Sequence, residues 1–255
     1  APFEPMPAAF RRSRFNDPDA LRDIDEGTAA VLVEPIQGEG GVRVADVGWL
    51  RLLRERCDRV GARLIVDEIQ CGLGRTGHLW AHELAGIEPD LMTLAKPLGG
   101  GLPIGAVLMR EAVAATITPG CHGTTFGGNP LVARVALALL QVISDAGFLE
   151  GVRERAARLQ EALRGMASPF VSDVRGLGLM LGVVVTPPAA EVVKAALARK
   201  LLVVAAGPHV LRLLPPLDCS FDELEQAVER LGGALADAGG RMETRESASD
   251  EGAAL

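Results

Sequence analysis

The 255-residue chain has 33 acidic against 26 basic side chains, a net charge of −7, and is 48% hydrophobic with no tyrosine. An acidic balance with no basic face excludes nucleic acid as the main partner, and no apolar run approaches the ~20 residues of a membrane helix. Cys57, Cys71, Cys121 and Cys219 are widely spaced with no CxxC pair, so the reading is a reduced, cytoplasmic setting with no disulfide framework and no metal site.

The chain opens at Ala1 with the turn-rich APFEPMPAAF and no element before it, which reads as a fragment or processed form of a longer protein. Residues 1–18 form a surface lead-in with Arg11, Arg12 and Arg14, and Asp17 caps a short helix through Ile24. The run 29–33 is a buried strand ending at Glu34-Pro35, followed by the glycine-rich loop 37–41. Asp46 caps a helix to about Val60 with Leu50, Leu53 and Cys57 on one face, Gly61 ends it, and 64–66 is the next strand. That unit predicts a right-handed crossover with parallel pairing. A second crossover covers roughly 78–86, strand 91–94 follows, and 105–109 comes soon enough after it to be an antiparallel or edge partner. Beyond the loop 122–128, Asn129-Pro130 opens an apolar helix over about 131–145, and 148–166 is an amphipathic helix. Then come strand 174–185, helix 189–200, strands 201–205 and 210–214, and helix 222–236. The fold class is therefore α/β: a mostly parallel sheet with flanking helices over 1–145, and a smaller α+β domain over 146–238. The tail, 239–255, has too few apolar residues to order itself.

Three of the apolar runs lead into ionisable groups: Glu34, Asp67 and Lys96. Ligands of open α/β sheets bind at the carboxyl ends of the strands, which places Asp67 and Lys96 at one crevice. Lysine is rare here, with only Lys96, Lys194 and Lys200 among 26 basic residues. An amine at the end of a buried strand is poorly hydrated, which favours the neutral nucleophile and Schiff-base formation with a carbonyl. If that carbonyl is the aldehyde of pyridoxal 5'-phosphate (PLP), a carboxylate must keep the pyridine nitrogen protonated, and Asp67 has the type and the place. The plain alternative is an Asp67–Lys96 salt bridge without chemistry. Arg212 stands in the apolar VLRLLPPL, where a lone guanidinium is costly to bury and its planar fork suits a carboxylate. Its plain alternative is an edge-strand arginine facing water.

The wording around these residues carries a resemblance. VEPIQGEGGV (33–42), DEIQCGLGRTG (67–77), TLAKPLGGGLPIGA (93–106) and HGTTFGGNP (122–130) together resemble the class III, fold-type I PLP-dependent aminotransferases, in particular the acetylornithine and ornithine aminotransferase branch. The interval from Asp67 to Lys96, 96 − 67 = 29, also fits. The resemblance spans roughly residues 1–236 and implies that Lys96 binds the cofactor covalently and then shuttles a proton. By the same likeness Asp67 pairs with the pyridinium nitrogen and Gln70 bonds the cofactor's phenolic oxygen. Thr125 reaches the phosphate in a neighbouring subunit, which implies a homodimer with shared active sites. Arg212 holds the α-carboxylate of the amino-acid or oxo-acid substrate, and Glu39 pairs with it until 2-oxoglutarate enters; Glu39 equally suits a solvated loop acid. Glu34 and His122 receive no chemistry, Arg75 and Thr76 shape a turn, and Pro97 stiffens the chain after the lysine.

The implied reaction transfers the terminal amino group of N-acetylornithine to 2-oxoglutarate, in arginine biosynthesis. Relatives act on ornithine, succinyl-diaminopimelate, 4-aminobutyrate or carrier-linked lysine precursors. The family's phosphate-binding loop, ring-stacking aromatic and second substrate arginine find no match in this sequence, so a chain unable to hold the cofactor alone is a further expectation. A rival is dinucleotide binding, since residues 72–77 satisfy GxGxxG. That fingerprint needs its first glycine at the strand end, and Asp67 to Cys71 intervene here.

Overall fold

A computed structural model of the chain describes residues 5, 7 and 9–252, with side chains described through Arg241. The first strand, β1 (Ala30–Val33), leads into a two-residue hairpin, β2 (Ile36–Gln37) and β3 (Arg43–Val44), built from the glycine-rich segment expected to be only a loop. Helix α1 (Val47–Val60) follows. Asp46 caps it by accepting the Trp49 N–H at 2.8 Å, and Gly61 ends it in the left-handed region at φ 78°. Its buried face, Trp49, Leu50, Leu53 and Cys57, packs on Val33, Leu64 and Val66. Each such aliphatic side chain contributes about 1.5–3 kcal/mol by leaving water. The helix returns the chain to β4 (Arg63–Asp67), parallel to β1.

A 3-10 turn at Ala81–Ala85 makes the next crossover to β5 (Leu91–Leu94), again parallel, and β6 (Ala106–Met109) closes the sheet as its antiparallel edge. The strand order is β1-β4-β5-β6. Leu64, Val66, Met92 and Leu94 share the face covered by α1 and, after the short α2 (Glu111–Ala114), by α3 (Pro130–Ile143). The other face carries Leu32, 64% exposed, and Val107, 53% exposed, together with Asp67 and Thr93. Asn129 caps α3 by accepting the Val132 N–H, as its position before Pro130 predicts.

After α4 (Ala146–Arg164) the topology turns antiparallel. The run expected as one strand, 174–185, is a hairpin: β7 (Val171–Leu177) and β8 (Met180–Val185) join at Gly178, φ 59°, because only glycine fits that turn against the backbone of Arg75 and Thr76. Helix α5 (Ala189–Ala198), β9 (Val204–Ala205) and β10 (Val210–Leu213) complete a sheet of order β7-β8-β10-β9. Its core joins Leu159 and Leu163 of α4 to Leu181, Val183, Leu211, Leu231 and Leu235. Phe148 and Leu217 touch this core and that of the first sheet.

The last helix, α6 (Phe221–Gly252), corrects the expectation of a structureless tail over 239–255. The stretch after 236 has no proline, and Ala238 still packs into the core, so the helix runs on beyond 236. Residues 253–255 of that expectation lie outside the described residues, as do residues 1–4, 6 and 8 of the lead-in.

Candidate active site

Alternation at the end of β4 sends two neighbouring carboxylates to opposite sides. Glu68 turns into the core, 1% exposed, and accepts the N–H groups of Ala81 and His82 at 2.9 Å each and the His82 ring Nδ1 at 2.8 Å. It anchors the 3-10 turn. Cys71 lies against it, and burial, reinforced by that carboxylate, pushes the thiol well above its ordinary range, so Cys71 is no nucleophile. Neither Glu68 nor His82 was singled out from the sequence; the signal was two adjacent acids at a strand end.

Asp67 faces the crevice half-buried. Its Oδ1 accepts the Ile69 N–H at 2.9 Å and the Thr93 hydroxyl at 3.0 Å. Among the described residues its Oδ2 accepts no hydrogen bond, so the carboxylate is fixed in orientation with one oxygen free. Thr93 also escaped the sequence reading, although a lone hydroxyl in the apolar run 91–94 was visible.

Lys96 begins the 3-10 turn Lys96–Gly99 after β5. It is exposed, which corrects the expectation of a poorly hydrated amine. The β5 chain bends sharply at Ala95, carrying the side chain out of the strand, and Lys96 sits at φ 35°, in the region that favours glycine. Such a backbone costs about 1–3 kcal/mol and recurs at working sites. No ion pair joins Lys96 to Asp67 among the described residues, so the plain salt-bridge alternative is not what the chain forms.

Between these groups lies Glu34, half-buried, with Oε2 accepting the Gly38 N–H at 3.3 Å. Burial pushes its carboxyl up; the Gly38 N–H and Lys96 pull it down, while Asp67 and Glu39 push it up again, and the sum lies above the ordinary value. Glu34 is thus in electrostatic reach of both Asp67 and Lys96.

Arg212 is 8% exposed on β10, an interior strand, which removes the edge-strand alternative. Its Nη1 donates to Glu39 Oε1 at 2.6 Å and to Gln70 Oε1 at 3.1 Å, while its Nε is buried without a partner among the described residues. The Glu39 side chain is 76% exposed, so the buried charge is held by a partner that can leave into water. An entering carboxylate could replace Glu39 on Nη1, and the unpartnered Nε, which costs about 1–3 kcal/mol, leaves a second donor on the other edge of the guanidinium. Gln70 lies across Gly38, where a Cβ would collide with its amide.

The structure therefore brings Glu39, Gln70 and Arg212 into direct contact and sets Asp67, Thr93 and Lys96 at adjacent strand ends. Thr125 stands apart, exposed on the loop 122–128, and no hydrogen bond or ion pair joins it to the others among the described residues. Residues 72–77 form a turn gripped by the β7–β8 turn, with Leu179 N donating to Arg75 O at 2.9 Å and Arg75 donating to Pro215 O at 2.5 Å. Burial lowers the Arg75 guanidinium to about 10, still charged at neutral pH. No helix opens from this turn, so it is not a dinucleotide loop.

The chain matches the family model Aminotransferase class-III over residues 12–235. It is 48% identical over 238 residues to the acetylornithine aminotransferase of Rhodobacter capsulatus, covering 92% of this chain and 61% of that protein. Among solved structures it superposes on N-acetylornithine aminotransferase from Stenotrophomonas maltophilia with TM-score 0.84 and 40% identity, covering 91% of this chain and 63% of that one. On an ornithine aminotransferase of Toxoplasma gondii, crystallised with partial occupancy of PLP at its active site, the TM-score is 0.87 at 35% identity, covering 94% and 59%. The chain spans about three fifths of the length of the curated relatives it matches. With motifs, fold and likeness in agreement over most of its residues, the chain belongs to the class III aminotransferases.

Proposed function

We propose that this chain carries the catalytic residues of a PLP-dependent aminotransferase that moves the terminal amino group of N-acetylornithine to 2-oxoglutarate. One observation carries the reading: a strained Lys96, unpaired among the described residues, at the strand end next to that of an Asp67 carboxylate that is oriented but unspent. These residues fit PLP at both reacting ends. Asp67 Oδ2 would hold a proton at the pyridine nitrogen, with Oδ1 locked by Ile69 and Thr93. Lys96 Nζ would hold the cofactor at its aldehyde carbon and, once freed from it, would move the proton at the substrate's amino carbon. PLP itself, when bound, supplies the electron sink that weakens bonds at that carbon. Arg212 would bind the substrate carboxylate and Glu39 would cover Arg212 when no carboxylate is there. Gln70 holds Arg212 in this structure, and a turn toward the cofactor's phenolic oxygen would require exchanging that bond.

We also read residues 1–145 and 146–238 as two domains of a homodimeric, cytoplasmic enzyme in which Thr125 reaches the partner's cofactor phosphate. Supporting the pairing are the exposure of Thr125 and the apolar Phe126 and Leu131 beside it, 81% and 70% exposed. Among the described residues no single helix is long and apolar enough to cross a membrane.

The native protein mixed with PLP should develop a visible absorption band that borohydride bleaches and that Lys96→Ala lacks. Given N-acetylornithine and 2-oxoglutarate it should form glutamate. A colourless protein would overturn the chemistry. A higher kcat/KM for ornithine or 4-aminobutyrate would overturn the substrate.

A further inference from the structure

Glu39 hangs on a loop whose two ends are held differently. At its start, Gly38 is fixed by Glu34 and by the Gln70 side chain lying over it. At its end, Gly41 and Val42 are both left-handed, at φ 96° and 52°. A β-branched residue rarely tolerates that region, and Val42 does so while wholly buried. Val42 is wedged over Gly182 of β8, where a Cβ would come within 2.9 Å of Val42 Cβ. Gly182 pairs in register with Arg175 on β7 and with Arg212 on β10, so the two arginines flank the wedge on one row of the sheet. Arg175 Nε donates to the Gly41 carbonyl at 2.8 Å. Glu39 and Gly40 are thus left exposed between two pinned ends.

We propose that Arg175 is a positioning residue for carboxylate selection. By holding the Gly41 carbonyl it fixes the loop, so that Glu39 covers or uncovers Arg212 by rotating its own side chain. This rests on the reading of Arg212 as the substrate-carboxylate receptor. Glu39 and a substrate carboxylate compete for one guanidinium, so weakening the Glu39 contact strengthens dicarboxylate binding. Loosening the loop has the same sign and a smaller size.

The test compares R175M, E39Q and the double variant in the PLP-loaded native protein. Readouts are KM for 2-oxoglutarate, kcat, and hydrogen exchange of the peptide covering residues 38–42. E39Q should lower KM for 2-oxoglutarate by about three- to tenfold. R175M should lower it by a part of that factor and speed exchange of the loop. In the E39Q background R175M should shift KM less than about twofold, since both act on one contact. R175K, which keeps a donor for Gly41 O, should fall between wild type and R175M, and it serves should R175M fail to fold. If R175M raises KM, or acts equally in both backgrounds, Arg175 works independently of Glu39 and the inference fails while the Arg212 reading stands. If E39Q moves no KM, the reading of the Glu39–Arg212 pair falls and the inference with it.

Discussion

The two sheets treat opposite charges in opposite ways. On the first, Asp67 and Lys96 stand at adjacent strand ends and form no ion pair with each other. On the second, Arg212 is sunk in the sheet and closed by Glu39 at 2.6 Å. A site that waits for a bound group supplying both counterparts keeps its charges unspent. A site proposed to take and release successive carboxylates keeps a replaceable stand-in. Burial explains the choice: exposed Lys96 loses little by standing alone, whereas an uncovered guanidinium inside a sheet would be costly.

The largest expected effect breaks the first side of that comparison. Lys96→Ala should lower turnover on the order of 10⁴-fold or more, leaving the thermal transition in place. Substantial residual transamination would strip Lys96 of its role. Lys96→Gly, which suits φ 35°, should be more stable than Lys96→Ala by about 1 kcal/mol in urea titration. Next comes the second side. Arg212→Met should raise KM for 2-oxoglutarate by about 100-fold, the loss of charge-assisted bonds worth about 1.5–3 kcal/mol. An unchanged KM would mean that the carboxylate binds elsewhere. Thr93→Val tests whether Asp67 is truly oriented: it should weaken PLP binding by about five- to tenfold in a spectrophotometric titration, the worth of one hydrogen bond. Equal affinity would show that the Ile69 N–H suffices.

The smallest effect concerns Glu34, which lies between the free charges. Its carboxyl holds a proton more tightly folded than unfolded, chiefly through burial. Its contribution is therefore fully present below the ordinary value of 4.5 and is lost as pH rises through the raised folded value. Glu34→Gln carries no such titration, so its stability relative to wild type should improve from pH 4 toward pH 7. A constant difference across that range would mean that Glu34 titrates alike in both states.

Local signals were legible. Asp46 and Asn129 cap the helices they precede, and a strand–helix–strand unit gave the parallel pairing of β1 and β4. The apolar runs located Asp67, Lys96 and Arg212, and the motifs identified the family. What the sequence hid was tertiary. Glu39 meets Arg212 across 173 positions, a contact no periodicity encodes and only the family likeness implied. The exposure of Lys96 follows from the backbone turn at Ala95, not from the apolarity of 91–94. A strand period cannot tell one long strand from a hairpin when the turn, at Gly178, is this tight. Gln70 was placed on a cofactor by likeness, yet its carbonyl meets Arg212 once both sheets are present.

Asp67 and Gln70 belong to one short turn, whose Ile69 N–H is tied back to Asp67. Its one end grips the Asp67 carboxylate and its other end grips Arg212, so the turn acts as a beam shared by both charges. A beam of four residues cannot be retuned at one end without being felt at the other. The exposed Glu39–Gly40 tip reaches the same Arg212 Nη1 from the opposite side, so a change of side chain there alters the guanidinium's partners without touching the bond that ties Ile69 to Asp67.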